Sequence, residues 1–122
     1  MTEIQSSRRG YDLEDRTLKF AKEVRFFVRK LPRTISNIED GKQLVRASGS
    51  IGANYIEANE ALSKKDFVMR IKICRKEAKE SCYWLSLIFT NEKVELDNER
   101  NSLIKEASEL TRIFGSIVEK SK

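Results

Sequence analysis

The residues best suited to catalysis in this 122-residue chain are carboxylates and lysines, because the sequence contains no histidine. General acid and base work would fall to glutamates that lean towards the apolar helix faces, namely Glu57, Glu60, Glu77 and Glu80. No glycine-rich phosphate loop, nucleophile elbow or Glu-x-x-His pair accompanies them. We therefore predict no catalytic residue, no cofactor and a protein that is not an enzyme.

The two cysteines do not form a site. Cys74 and Cys82 are eight positions apart on one predicted helix, which separates their α-carbons by about 12 Å. A disulfide requires α-carbons within roughly 7 Å, so we expect two reduced thiols that fill the core. Neither cysteine belongs to a Cys-x-x-Cys pair, and the sequence predicts no metal site.

Basic residues form rows at helical spacing. On the third predicted helix, one stripe contains Lys65, Lys72, Arg75 and Lys79, with Lys64 and Lys76 beside it; Lys22, Arg25 and Arg29 repeat the spacing on the first helix. A net charge of +5 permits an acidic partner such as nucleic acid. The alternative is that the rows are solvated faces of amphipathic helices. No base-reading motif is visible, so any binding would be to phosphates and would be salt-sensitive.

Polar and aromatic residues border the apolar stripes. Asn54 and Glu57 flank the stripe of the second predicted helix, and Glu77 and Glu80 flank that of the third. They are either an exposed helix edge or a polar network between helices or subunits, stabilised by lysine or arginine. The run "CYWLSLIF", which includes Tyr83 and Trp84, is more apolar than a soluble monomer normally exposes, and it indicates self-association.

The elements that position these residues are all helical. Apolar residues at alternating spacings of three and four predict a single domain over residues 1–122, with a flexible tail at 1–10 and helices at roughly 12–31, 38–62, 64–90 and 98–120. Short links between them predict an all-α, antiparallel up-down-up-down four-helix bundle. Gly49 and Gly52 each cost about 1 kcal/mol in helix propensity, so we expect close helix packing there.

The helix ends are predicted from local signals. Pro32 stops the first helix, and Ser63 with Asp66 caps the third. For the second helix, Asp40 with Gln43 has capping-box spacing and Asn37 is a rival start, while Asp97 or Asn98 is expected to cap the fourth. No stretch resembles a signal peptide or a membrane span, so we expect a cytoplasmic protein without a membrane partner.

The segment "LVRASGSIGANYIEANEALSKKDFVMRIKICRKEAKESCYWLSLI" resembles the four-helix-bundle proteins encoded in intervening sequences of bacterial 23S ribosomal RNA genes. The resemblance spans roughly Tyr11 to Ile117. Its specific parts are Ser50-Ile51 with Asn54 and Glu57, Ser63-Lys64-Lys65-Asp66-Phe67, Lys76-Glu77-Ala78 with Glu80, and Tyr83-Trp84-Leu85.

This resemblance implies a bundle that assembles into a homopentameric ring. A further similarity, to the accessory variability proteins of diversity-generating retroelements, implies a basic ring that contacts nucleic acid and a partner protein. Five chains of +5 would together carry about +25. The leading hypothesis is thus a homo-oligomeric nucleic-acid-binding bundle, and the alternative is an oligomeric scaffold for an unidentified protein.

Two sets of residues carry the leading hypothesis. The expected phosphate contacts are Lys65, Arg70, Lys72, Arg75, Lys76 and Lys79, supported by Arg25 and Arg29. The expected oligomer or packing contacts are Asn54, Glu57, Glu77, Glu80, Tyr83 and Trp84.

Overall fold

The computed structural model describes the backbone of residues 2–122 and the side chains of residues 13–122. Four helices follow one another: α1 (Thr2–Arg29), α2 (Ile35–Asn59), α3 (Lys64–Leu87) and α4 (Val94–Lys120). α1 begins at Thr2, ten residues before the predicted start of the first helix, and the flexibility predicted for residues 1–10 stays a prediction. No helix in the described part of the chain is long and apolar enough to cross a membrane.

The helices form the predicted antiparallel four-helix bundle. Each helix packs on its neighbours in sequence, and α1 packs on α4 to close the bundle. α1 and α3 therefore lie diagonally, and among the described residues their backbones do not meet. The predicted stripes form the core, with the large side chains Phe20, Phe27, Leu44, Ile71, Leu110 and Phe114 fully buried.

Burial decides the state of the core thiol. Cys74 is fully buried, and its Sγ donates to the carbonyl oxygen of Ile51 at 3.4 Å. Desolvation by burial raises the pKa of Cys74 to about 12, so the thiol is neutral at physiological pH. Cys82 is half-buried and also free, which agrees with the expectation of two reduced cysteines.

α1 and α2 approach closely at glycines. A Cβ on Gly52 would lie 2.9 Å from Oγ1 of Thr17, and one on Gly49 would lie 3.2 Å from Nη2 of Arg25. Real Cβ atoms essentially never lie at the first distance, so a side chain at position 52 would force Thr17 or the two helices to shift. The prediction of close helix approach is confirmed.

Ion pairs span the contact between α1 and α4 that closes the bundle. Arg16 pairs with Glu106 through Nη2 and Oε1 at 2.7 Å and also contacts Glu109, while Lys30 pairs with Glu99. The hydrogen bond to Glu106 is the main cause of the raised pKa of Arg16. α1 packs more sparsely on α4 than on α2, so the ion pairs lie at the less extensive of its two helix contacts.

The cap of α3 was predicted correctly, because Oγ of Ser63 accepts from the backbone N–H of Asp66 at 3.1 Å. The predicted start of α2 was wrong. Thr34 is the cap, with Oγ1 accepting from the N–H of Asn37 at 3.1 Å, and Asp40 lies inside the helix. Asn37 is instead buried, and its amide joins the two connections at this end of the bundle through bonds to Pro32 and Phe89.

The predicted ends on both sides of the α3–α4 connection were also wrong. α3 ends at Leu87, three residues before the predicted end, and α4 begins at Val94, four residues before the predicted start. Asn91 and Glu92 have positive φ angles of 56° and 59° and reverse the chain. Asp97 lies in the first turn of α4, where it accepts from Thr90 and pairs with Arg100.

Candidate nucleic-acid interface

α3 and α4 form a groove of about 750 Å³ whose walls carry a cluster of cations. We call this the basic groove, and its cations are Lys72, Arg75, Lys76, Lys79 and Arg112. Cys82, Ser108 and Thr111 complete its lining. Four of the predicted phosphate contacts therefore come together in one place.

The cations of the basic groove are not held in close ion pairs in the described part of the chain. None of the five forms an ion pair with an acidic side chain in the described part of the chain. Four are exposed and Arg75 is half-buried. Lys122, and to a smaller extent Arg75, lower the pKa of Glu119, the acid that lies towards one end of the groove.

The acids of the same two helices that form interhelical ion pairs do so on other faces. On α3, Glu77 and Glu80 point towards α2, where both pair with Arg46. On α4, the acids that form interhelical pairs do so with cations of α1. The bundle therefore separates charge by face, and the outer α3–α4 face keeps a local excess of positive charge.

The other predicted phosphate contacts lie outside the basic groove. Lys65 is exposed on α3, nearer its start. Arg70 turns towards α2, and its Nη1 donates to Oδ1 of Asn54 at 3.0 Å. Arg25 donates to the carbonyl of Ala21, and Arg29 lies 5.3 Å from the ring centre of Phe26. The two arginines are on α1, diagonal to α3, so the structure does not bring them to the groove.

Arg112 is the groove residue that sequence analysis missed. It is an isolated cation on α4, between Thr111 and Ile113, and no basic residue at helical spacing beside it indicates a row. Its position beside Lys72, Arg75, Lys76 and Lys79 follows from the packing of α3 on α4. Gly115 faces Arg75 across this contact, and a Cβ there would lie at an ordinary van der Waals distance of 3.6 Å from Cδ of Arg75.

The predicted polar contacts form a seam between α2 and α3 of the same chain. Asn54 bonds Arg70, and Arg46 reaches Oε2 of Glu77 at 3.6 Å and Oε1 of Glu80 at 3.4 Å. The Glu77 side chain is only 8% exposed, whereas Arg46 is 51% exposed, so the pair connects the interior to solvent. For these residues the interpretation as an interhelical network is correct.

Three of the predicted contact residues stand apart from this seam. Glu57 is exposed on α2, as an ordinary helix edge would be. Trp84 is half-buried and packs against the core, while Tyr83 is exposed. The ring planes of Tyr83 and Trp84 are inclined at 73°, and the ring centroids lie 5.1 Å apart. Any contact of these residues with a second subunit remains a prediction.

A second concavity lies where α1 passes into α2. This apolar cleft, of about 640 Å³, has a floor of mostly apolar residues that includes Val28, Leu31, Ile38 and Val45. Its rim carries three cations, Arg29, Arg33 and Lys42. It is separate from the basic groove, which lies between the other two helices.

Comparison with known proteins places the chain in a family. A family model described as 23S rRNA-intervening sequence protein matches residues 11–116. The chain is also similar to a crystal structure of a protein of unknown function from the S23 ribosomal protein family of Bacteroides thetaiotaomicron VPI-5482. The two are 29% identical with a TM-score of 0.75, over 90% of this chain and 97% of the other. No curated protein sequence matches. The chain thus belongs to the 23S rRNA-intervening sequence protein family.

Proposed function

We propose that this protein is a non-enzymatic, homo-oligomeric bundle that binds nucleic acid through backbone phosphates in the basic groove. The observation that carries the proposal is that two helices bring to one groove five cations that form no ion pair among the described residues, while five acids of the same helices pair with α1 or α2. A nucleic-acid backbone suits such a row of basic side chains, because the counterions that its phosphates release on binding add favourable entropy.

Salt dependence measures how many cations take part. Each phosphate neutralised contributes roughly −0.7 to −0.9 to the slope of log K against log salt concentration. Five groove cations per chain would therefore give a slope of roughly −3.5 to −4.5 for one chain. Binding should also be similar for different base sequences, since phosphate contacts carry no sequence information.

The test compares two triple variants that remove equal charge. One carries Lys72→Gln, Lys79→Gln and Arg112→Gln in the groove, and the other carries Lys19→Gln, Lys22→Gln and Lys93→Gln on exposed sites elsewhere. Each lowers the net charge from +5 by three, to +2. Arg75 is left in place because it packs against α4.

We expect the groove variant to bind labelled RNA and DNA of every base sequence more weakly. Its slope of log K against log salt concentration should be less negative by roughly 2 to 3. The control should keep the slope and affinity of the original protein to within about threefold, since exposed distant charges act weakly at physiological salt. Equal losses in both variants would show that net charge, and not the groove, determines binding.

Homo-oligomerisation is the second part of the proposal, and it is supported by the family resemblance and by exposed apolar side chains. Phe89 and Val94, near the α3–α4 connection, are both among the exposed large apolar residues. A pentamer of a 14.2 kDa chain would have a mass of five times that, about 71 kDa. Light scattering on nuclease-treated protein measures this mass, and a value near that of one chain would contradict the assembly.

The apolar cleft favours a second candidate function, that of a scaffold for a protein partner. Its cationic rim and apolar floor complement an acidic, amphipathic segment of that partner. Ile38→Glu should abolish co-purification of a stoichiometric partner that survives nuclease and high salt. Ile56→Glu, on an exposed apolar residue of the same helix outside the cleft, is the matched control and should not.

A further inference from the structure

An exposed aromatic ring continues the row of groove cations along α3. Tyr83 follows Lys79 by four residues, Lys76 by seven and Lys72 by eleven, which places it on the same outer face of the helix. The axial distances from these residues to Tyr83 are about 6, 10 and 16 Å. The Tyr83 residue is 57% exposed. A chain of phosphates that followed the lysines would therefore reach this ring.

The Tyr83 ring is also held in place. It contacts the Trp84 ring nearly edge to face, with centroids 5.1 Å apart, and Trp84 is itself packed against the core. An aromatic side chain has only two rotatable bonds, and a fixed neighbour restricts them further. Little conformational entropy is then lost when another flat group packs on the ring.

We propose that the nucleic acid bound by the basic groove is single-stranded, and that one of its bases stacks on Tyr83 while phosphates contact Lys72, Lys76 and Lys79. This inference rests on the proposed function and names its substrate class. In a duplex, both faces of each base are covered by neighbouring bases, and only base edges are reachable. In a single strand, the faces are free to stack on aromatic side chains beside a basic groove.

The decisive comparison uses one strand in two states. An RNA of about 12 nucleotides without self-complementarity is labelled and measured alone and after annealing to its complement. Tyr83→Leu removes the aromatic face but keeps an apolar side chain, Tyr83→Phe keeps the face, and Leu87→Ala alters an exposed apolar residue one turn further on.

We expect Tyr83→Leu to weaken binding of the single strand by roughly 5- to 150-fold, the loss associated with one stacked base. Its salt slope should not change, because no cation is removed. Tyr83→Phe and Leu87→Ala should bind as the original protein does, and duplex affinity should be the same in all four. Trp84, the single tryptophan, should change its fluorescence on binding RNA in the original protein and not in Tyr83→Leu.

The outcomes distinguish failure of the stacking inference alone from failure of the proposed function. If the groove triple variant loses affinity while Tyr83→Leu binds the single strand normally, base stacking is refuted and phosphate binding stands. If Tyr83→Leu changes the molar mass along with affinity, Tyr83 is a subunit contact and the inference is also refuted. If the original protein binds neither form of the RNA, both the groove and the stacking assignment fail.

Discussion

Gly52→Ala tests the packing of α1 on α2 with a single methyl group. The new Cβ would lie 2.9 Å from Oγ1 and 3.3 Å from Cβ of Thr17. Thr17 cannot easily move away, because it is 1% exposed and its hydroxyl donates to the carbonyl of Leu13 at 2.8 Å. The methyl group therefore forces either the threonine rotamer or the two helix backbones to shift.

The sign of the effect follows from two opposing terms. Alanine is favoured over glycine in a helix by about 1 kcal/mol. Overpacking a tight site costs about 1 to 3 kcal/mol. We expect Gly52→Ala to lower the free energy of unfolding by about 0 to 2 kcal/mol as the balance of these terms. Gly115→Ala is the matched control, because its Cβ would lie at an ordinary 3.6 Å from Arg75, and it should raise that free energy by about 0.5 to 1 kcal/mol.

Urea unfolding monitored by circular dichroism, at one fixed protein concentration, gives both values. A double-mutant cycle with Thr17→Ala adds a second check, because removing the hydroxyl and methyl of Thr17 leaves room for the new group. Gly52→Ala should then be stabilising in the Thr17→Ala background. If Gly52→Ala in the original protein is as stabilising as Gly115→Ala, the close approach of α1 and α2 at Thr17 is wrong.

Four further predictions concern buried polar contacts and the two cysteines. Asn37→Ala should lower the free energy of unfolding in urea by about 2 to 4 kcal/mol, because three hydrogen bonds between the chain connections are lost. Arg46→Met should lower it by about 1 to 3 kcal/mol at pH 7 by leaving Glu77 buried without its counter-ion, and adding Glu77→Gln should recover part of that loss. Mass spectrometry after iodoacetamide treatment at pH 8 should show alkylation at Cys82 but not at Cys74 in the folded protein. Since the pKa of Cys74 is raised from 9.0 to about 12, its neutral thiol stabilises the fold fully below pH 9 and progressively less towards pH 12, and Cys74→Ala should flatten this part of the stability profile.

Sequence periodicity was sufficient to predict the helices, their order and most of the core. On each helix the apolar residues recur with the spacing of one buried face. Phe20, Leu44, Ile71 and Phe114 each belong to such a face on their own helix, and the structure buries them. Helix ends were harder, because Thr34, Asp40 and Asn37 are all acceptable caps by residue type. Only the packing of Asn37 against the α3–α4 connection decides that it is buried and that Thr34 is the cap.

The candidate site was predictable within one helix but not between helices. Helical spacing identified Lys72, Arg75 and Lys79 as one row, and the structure places them in one groove. It could not reveal that Arg112 of α4 completes the groove or that Arg70 turns away to Asn54. Those facts depend on how each helix is rotated about its axis. The spacing of apolar residues fixes that rotation only to within about one side-chain position.

The ion-paired closure between α1 and α4 has a consequence for how the bundle opens. Arg16 and Glu106 are 90 positions apart, whereas the other helix contacts join neighbours in sequence, so this closure carries the largest loop entropy. It is therefore expected to form last during folding and to separate first in the native state. Salt weakens such partly exposed pairs, and an opened α1 would present Phe20, Val24 and Phe27 to solvent. At high salt and high protein concentration, two copies of such a bundle could exchange their α1 helices and form a domain-swapped dimer.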